Sequence, residues 1–191
     1  MKLINLNILI IVGIFSLNAH ATLIGHTLQA DWLEKSFDTI IESHQFIVGN
    51  GAELTADDIV RSSNFSIDVG SNYILFDFPR STSWSASGVV NGWMFTDIND
   101  DIPDFLDVDL TIITGSQRWF GDNDIIFDEN SITLNFWAVS ILENNTLLRF
   151  DIKTAEVPAP STISLVFIGI IIFQMRTKGV SLYKKRVKND A

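Results

Sequence analysis

The chain has 191 residues, of which 47% are hydrophobic and 11% aromatic, and it contains no cysteine. That composition excludes a disordered tail, a disulfide scaffold, a cysteine-ligated zinc or iron–sulfur site and any thiol chemistry. From Asp31 to Glu156 there are 22 acidic residues against six basic ones, a net charge of −16, while the segment after Met175 carries +5; a body this acidic repels phosphate backbones and argues against a nucleic acid partner.

The N-terminus reads as an export signal. Lys2 is a minimal positive region, the run from Ile8 to Leu17 is apolar, and Ala19-His20-Ala21 has the small-residue form of a signal peptidase site. Residues 1–21 are therefore expected to be a signal peptide, with export through the Sec route and a mature chain starting at Thr22. No cysteine follows the cleavage point, which excludes lipoprotein processing.

Residues 22–156 carry strand signals almost throughout. Leu106, Val108, Leu110 and Ile112 alternate with Asp107, Asp109 and Thr111, and Ile132, Leu134, Phe136 and Ala138 alternate with Thr133, Asn135 and Trp137. This period of two predicts strands with one face buried. Phe65 to Val69 and Tyr73 to Phe78 flank Gly70-Ser71-Asn72 and predict a hairpin. Further strands are expected over 24–32, 44–48, 89–96, 125–127 and 146–152. Turn signals punctuate them at Gly49-Asn50-Gly51, Asn91-Gly92, Gly115-Ser116 and Asn144-Asn145. Only 53–61 leans towards helix. The expected fold is an all-β, antiparallel sandwich of jelly-roll type, in one domain.

Candidate site residues are few. Asp97, Asp100, Asp101, Asp104, Asp107 and Asp109 crowd 13 residues in which no basic residue stands. Oxygen ligands packed this way suit Ca²⁺, with Asp97, Asn99, Asp101 and Asp104 as the candidate set. Asp97 to Asp101 is similar to the opening of an EF-hand loop, but Ile102 and Val108 stand where the glycine and bidentate glutamate belong, so an EF-hand is excluded. The alternative is a solvated acidic loop that keeps the domain soluble. Of the five tryptophans, Trp119 and Trp137 are the candidates for stacking on a sugar, Trp137 because it falls on the polar phase of its strand and Trp119 because it lies in a loop. The alternative for all five is a place in the core or over a sheet face. His26 and His44 form no metal or catalytic motif, and Gly49-Asn50-Gly51 lacks the third glycine of a phosphate loop. A carboxylate pair for glycoside hydrolysis could be drawn from 22 acids in many ways and identifies nothing. The expectation is a non-enzymatic protein without a cofactor other than Ca²⁺, with a carbohydrate-binding module as the main alternative.

After the domain comes Val157-Pro158-Ala159-Pro160-Ser161-Thr162, whose prolines hold it extended. An apolar run over 163–175 follows, then Arg176, Lys178 and the cluster Lys184, Lys185, Arg186 and Lys188. Thirteen helical residues span ~20 Å, short of the ~30 Å hydrocarbon core unless the basic residues snorkel. The basic flank orients such a helix with its C-terminus inside the cell. An extended proline segment, a short apolar helix and a basic tail resemble the PEP-CTERM sorting signal of Gram-negative bacteria, with Ala159 in place of the usual glutamate. The resemblance implies an inner-membrane precursor handled by an exosortase, a membrane cysteine protease-transpeptidase associated with exopolysaccharide and biofilm production, and delivery to the cell surface or matrix. It also brings extracellular polysaccharide forward as a partner. The alternative is an ordinary C-terminal membrane anchor. The middle of the chain, including Asn91 to Ile98, is similar to the acidic β-rich domains often paired with such signals.

Overall fold

The computed structural model describes residues 22–59 and 64–156. The expected signal peptide with Ala19 and Ala21, the segment from Val157 to Thr162, the apolar run, Arg176 and Lys178 lie outside the described residues. Ala21–Glu156 forms one compact unit.

Two antiparallel sheets make up the body. The first is five-stranded, in the order β2 (Ile40–Ile47), β1 (Thr27–Glu34), β6 (Asn91–Asp97), β10 (Ser131–Asn135), β9 (Ile125–Phe127). The second is four-stranded, in the order β3 (Ser66–Val69), β4 (Tyr73–Phe78), β12 (Thr146–Thr154), β7 (Phe105–Thr114). Three two-residue strands, β5 (Thr82–Ser83), β11 (Ser140–Ile141) and β8 (Gln117–Arg118), add a small third sheet. The described residues contain no α-helix, only a 3₁₀ turn at Asp122–Asp124. The fold is all-β, antiparallel and sandwich-like, as the alternation required.

What joins the sheets is aromatic. Phe76 of β4 meets Phe95 of β6 edge to face at 6.3 Å between ring centroids, and Phe136, just past β10, at 5.1 Å. Phe136 in turn touches Trp84 at 4.8 Å, Phe120 at 5.0 Å and Phe150 of β12 at 6.4 Å. Leu28 and Ala30 of β1, Trp93 of β6, and Ile132 and Leu134 of β10 are buried on the inner face of the first sheet. Ile67, Ile74, Leu148 and Ile152 answer them from the second.

The hairpin of β3 and β4 forms where expected, its turn closed by the Gly70 N–H donating to the Tyr73 carbonyl at 2.9 Å. Two expectations are corrected. Leu106 was to face the core with Val108, but β7 carries a bulge at each end. Phe105 pairs with Thr154 and Asp107 with Lys153, which leaves Leu106 extra and 59% exposed while Phe105 takes the buried place. A second bulge at Ile113 leaves Ile112 and Ile113 exposed at the other end. Asn91-Gly92 is not a turn but the start of β6. A Cβ on Gly92 would stand 2.0 Å from the Leu134 carbonyl oxygen, so this glycine serves close approach of two strands. Asn91 is buried, donates its N–H to Asn135 Oδ1 at 3.0 Å and accepts from Trp32 Nε1 at 3.2 Å.

Phe136→Ala should cost about 3–5 kcal/mol, the range for truncating a buried phenylalanine. Urea unfolding of the full chain checks this, and a loss below ~1 kcal/mol would show that the ring cluster does not join the sheets.

Candidate functional site

The acidic segment fills the connection from β6 to β7. Asp97 ends β6 and is only 5% exposed. Its Oδ1 accepts the Asn99 N–H at 3.2 Å and its Oδ2 the Ile102 N–H at 2.7 Å, while Asp100 between them takes a left-handed φ of 55°. The Asp97 carboxylate thus holds the loop's own backbone in a tight turn, the ordinary work of an aspartate there. Asp101 reaches the other way, its Oδ1 2.7 Å from His26 Nδ1, and the Asp104 carbonyl accepts the Ala155 N–H at 2.9 Å. Asn99 is exposed. Asp97, Asn99, Asp101 and Asp104 are thus neighbours in the chain whose contacts run to different partners. Among the described residues no three histidine, aspartate or glutamate side chains are grouped to hold a metal ion.

Asp107 and Asp109 share the outer face of β7, as their alternation predicts. The cation that answers them comes from 44 residues further on. Lys153 Nζ donates to Asp107 Oδ2 and, at 3.0 Å, to Asp109 Oδ2, because β12 pairs with β7 so that Lys153 stands opposite Asp107. These hydrogen bonds, with the two negative charges, push the Lys153 ammonium up to about 12. In return the Lys153 hydrogen bond holds the Asp107 carboxyl below its ordinary range. The same face continues across the sheet: the Arg149 guanidinium lies 4.2 Å over the Tyr73 ring and donates from Nε to Asp151 at 2.7 Å. The Tyr73 hydroxyl donates to Asp68 at 3.3 Å; desolvation first, then the Asp68 charge, pushes the phenol up.

The five tryptophans divide. Trp93 is fully buried, Trp32 stacks on it at 5.8 Å, and Trp84 stacks on Phe136. Trp119 and Trp137 face solvent, 67% and 39% exposed. Trp119 follows β8 with φ at 73°, a conformation that costs a bulky residue roughly 1–3 kcal/mol. It is held there by the Gln117 amide, which accepts the Phe120 N–H at 2.9 Å and donates to the Phe120 carbonyl at 3.0 Å. The Arg118 guanidinium lies 5.3 Å from the Trp119 ring centroid. Trp137 does not stand on a strand as expected, because β10 ends at Asn135. It occupies a turn closed by the Val139 N–H donating to the Phe136 carbonyl at 3.0 Å, with Ala138 at a φ of 60° and the Trp137 N–H on Asn135 Oδ1 at 3.1 Å.

The two histidines among the described residues sit apart. His44 Nε2 is 2.7 Å from Glu42 Oε1 on β2 and its ring packs 6.2 Å from Trp93, while His26 belongs to the Asp101 contact. Among the described residues neither imidazole hydrogen-bonds a hydroxyl nucleophile. Local charge counting missed Lys153, since only the pairing of β7 with β12 brings it in.

Asp97→Ala leaves the Ile102 N–H without its acceptor and should cost about 1–3 kcal/mol in urea unfolding, with a smaller loss for Asp97→Asn. Lys153→Met should lower Tm most between pH 3.8 and 10.5. The Asp107 contribution is present above 3.8 and lost as pH falls through its lower folded value; the Lys153 contribution is present below 10.5 and lost as pH rises through about 12. A Tm difference that persists unchanged at pH 2 would contradict the pairing. No family model, curated protein or solved structure matches this chain.

Proposed function

We propose that residues 22–156 are the delivered body of an exported, surface- or matrix-associated protein of a Gram-negative bacterium. Signal peptidase removes residues 1–21 after Ala19-His20-Ala21. An exosortase-like enzyme grips Val157 to Thr162 while the apolar run and the basic residues, Arg176 and Lys178 first among them, hold the precursor in the inner membrane. The body itself is non-enzymatic and associates with extracellular polysaccharide. Repeated crossing of the chain between the two sheets supports a jelly-roll-like topology as the finer description of the fold.

The observation that carries this reading is where the ladder of hydrogen bonds stops. The last strand, β12, ends at Thr154, and one further bond, from the Ala155 N–H to the Asp104 carbonyl, closes the body. At the other end Leu23 donates its N–H to the Ser71 carbonyl at 2.8 Å, and β1 begins at Thr27. Cuts after Ala21 and beyond Glu156 therefore leave whole every strand found among the described residues, which is what a body made to be released from both signals requires.

Replacing Pro158 and Pro160 together by alanine should let the helix expected over 163–175 extend back into the recognition segment. In an exosortase-positive host the full-length precursor should then accumulate in the inner membrane, seen by fractionation and immunoblotting. Unchanged processing of that double variant would contradict the exosortase reading and leave a plain anchor.

A further inference from the structure

We infer that Trp119 and Trp137 form a stacking site for a neutral, pyranose-based polysaccharide beside the small third sheet. The site itself stands on the described body alone; its link to extracellular polysaccharide rests on the function proposed above.

Three observations converge. The two exposed indoles each adjoin a buried phenylalanine in the chain, Trp119 before Phe120 and Trp137 after Phe136, and those two rings touch at 5.0 Å. Pairing of β8 with β11 puts Arg118 opposite Ser140, which makes the two turns neighbours beside the small sheet. Both turns are also fixed, one by the Gln117 amide on both polar atoms of Phe120, the other by Asn135 Oδ1 and the Val139 N–H. A fixed turn that strains a tryptophan into the left-handed region and turns its ring to water gives the core nothing. The anchoring Phe120 and Phe136 do the packing, and Trp119 is held for something outside.

The chemistry selects the ligand. A flat indole offers its face to an apolar surface, and a pyranose ring has one, made of axial C–H groups and rimmed by hydroxyls. The Arg118 guanidinium lies over one face of the Trp119 ring, leaving the other face for the sugar, and brings N–H donors for such hydroxyls. A polyuronate or an anionic lipid surface would meet a body of net −16 between Asp31 and Glu156, with Asp122 and Asp124 just beyond the Trp119 turn. Charge therefore favours a neutral glycan.

Substitution by glycine at Trp119 separates binding from folding, because glycine adopts a φ of 73° without strain. Calorimetric titration of the full chain in detergent micelles with hexasaccharides of β-1,4-glucan, β-1,3-glucan, β-1,4-mannan and polymannuronate tests the site. The wild-type chain should bind at least one neutral hexasaccharide and not the polymannuronate one. Trp119→Gly should weaken that binding at least tenfold with Tm unchanged or raised, and Trp137→Ala should weaken it as well. Three results each overturn the inference: no neutral hexasaccharide binds, only the polymannuronate binds, or Trp119→Gly binds like the wild type. An interface with protein or lipid would give the first of these. Sorting is not involved, so failure here leaves the exosortase reading intact, and normal processing of the proline variant leaves this site intact.

Discussion

Phe76 and Phe136, meeting at 5.1 Å between two sheets that share no backbone hydrogen bond, are the contact on which the rest of this structure depends. With no cysteine in the chain, nothing covalent ties the sheets together. The seam is instead made of large, rigid rings in tilted and edge-to-face contacts, each adding a little beyond its buried area. Phe120, Phe150 and Trp84 extend the cluster towards the small sheet, and Phe65, Phe78, Phe95 and Trp93 extend it through the body. A domain of this size can be stable on such a core alone.

The surface follows from the same frame. An acidity of −16 on one small body is a repulsive load, and the sheets spread it among separate partners. Lys153 stands between Asp107 and Asp109, Arg149 between Tyr73 and Asp151, and Asp97 turns inward to bind two backbone amides. Such surface pairs are individually weak. They matter through placement: strand pairing alone brings Lys153 to Asp107 and Asp109, while Arg149 meets Asp151 two residues further along its own strand. Asp97, Asp101 and the pair Asp107 and Asp109, which look like one cluster in the chain, thus go to three different partners in space: backbone amides, His26 and Lys153.

Much of the fold was legible because strand signals are local. A run such as Tyr73 to Phe78 announces itself by alternation, and Gly70-Ser71-Asn72 announces the turn before it. The strands β5, β8 and β11 have two residues each, too few to alternate, and left no signal. The bulges in β7 were invisible because an extra residue shows only against its partner strand, so Leu106 and Phe105 exchanged places between expectation and structure. Gly92 looked like a turn because a glycine needed for close approach and one needed for a turn are the same letter. For the site, exposure of Trp119 was readable from its loop position, whereas Trp137 is exposed in a turn and not, as its alternation suggested, on the polar face of a strand. The strained φ at Trp119, the Gln117 bracket and the Phe120–Phe136 contact that draws the two turns together were not.

In the delivery proposed above, a segment is removed from each end of the sandwich. Intact-mass measurement of the protein recovered from the surface or matrix of an exosortase-positive host tests it most directly. The expected species begins at Thr22, retains every residue to Glu156 and lacks the basic tail from Arg176 onwards. Recovery of surface material with the mass of the full 191-residue chain, or with an end inside residues 27–154, would contradict it.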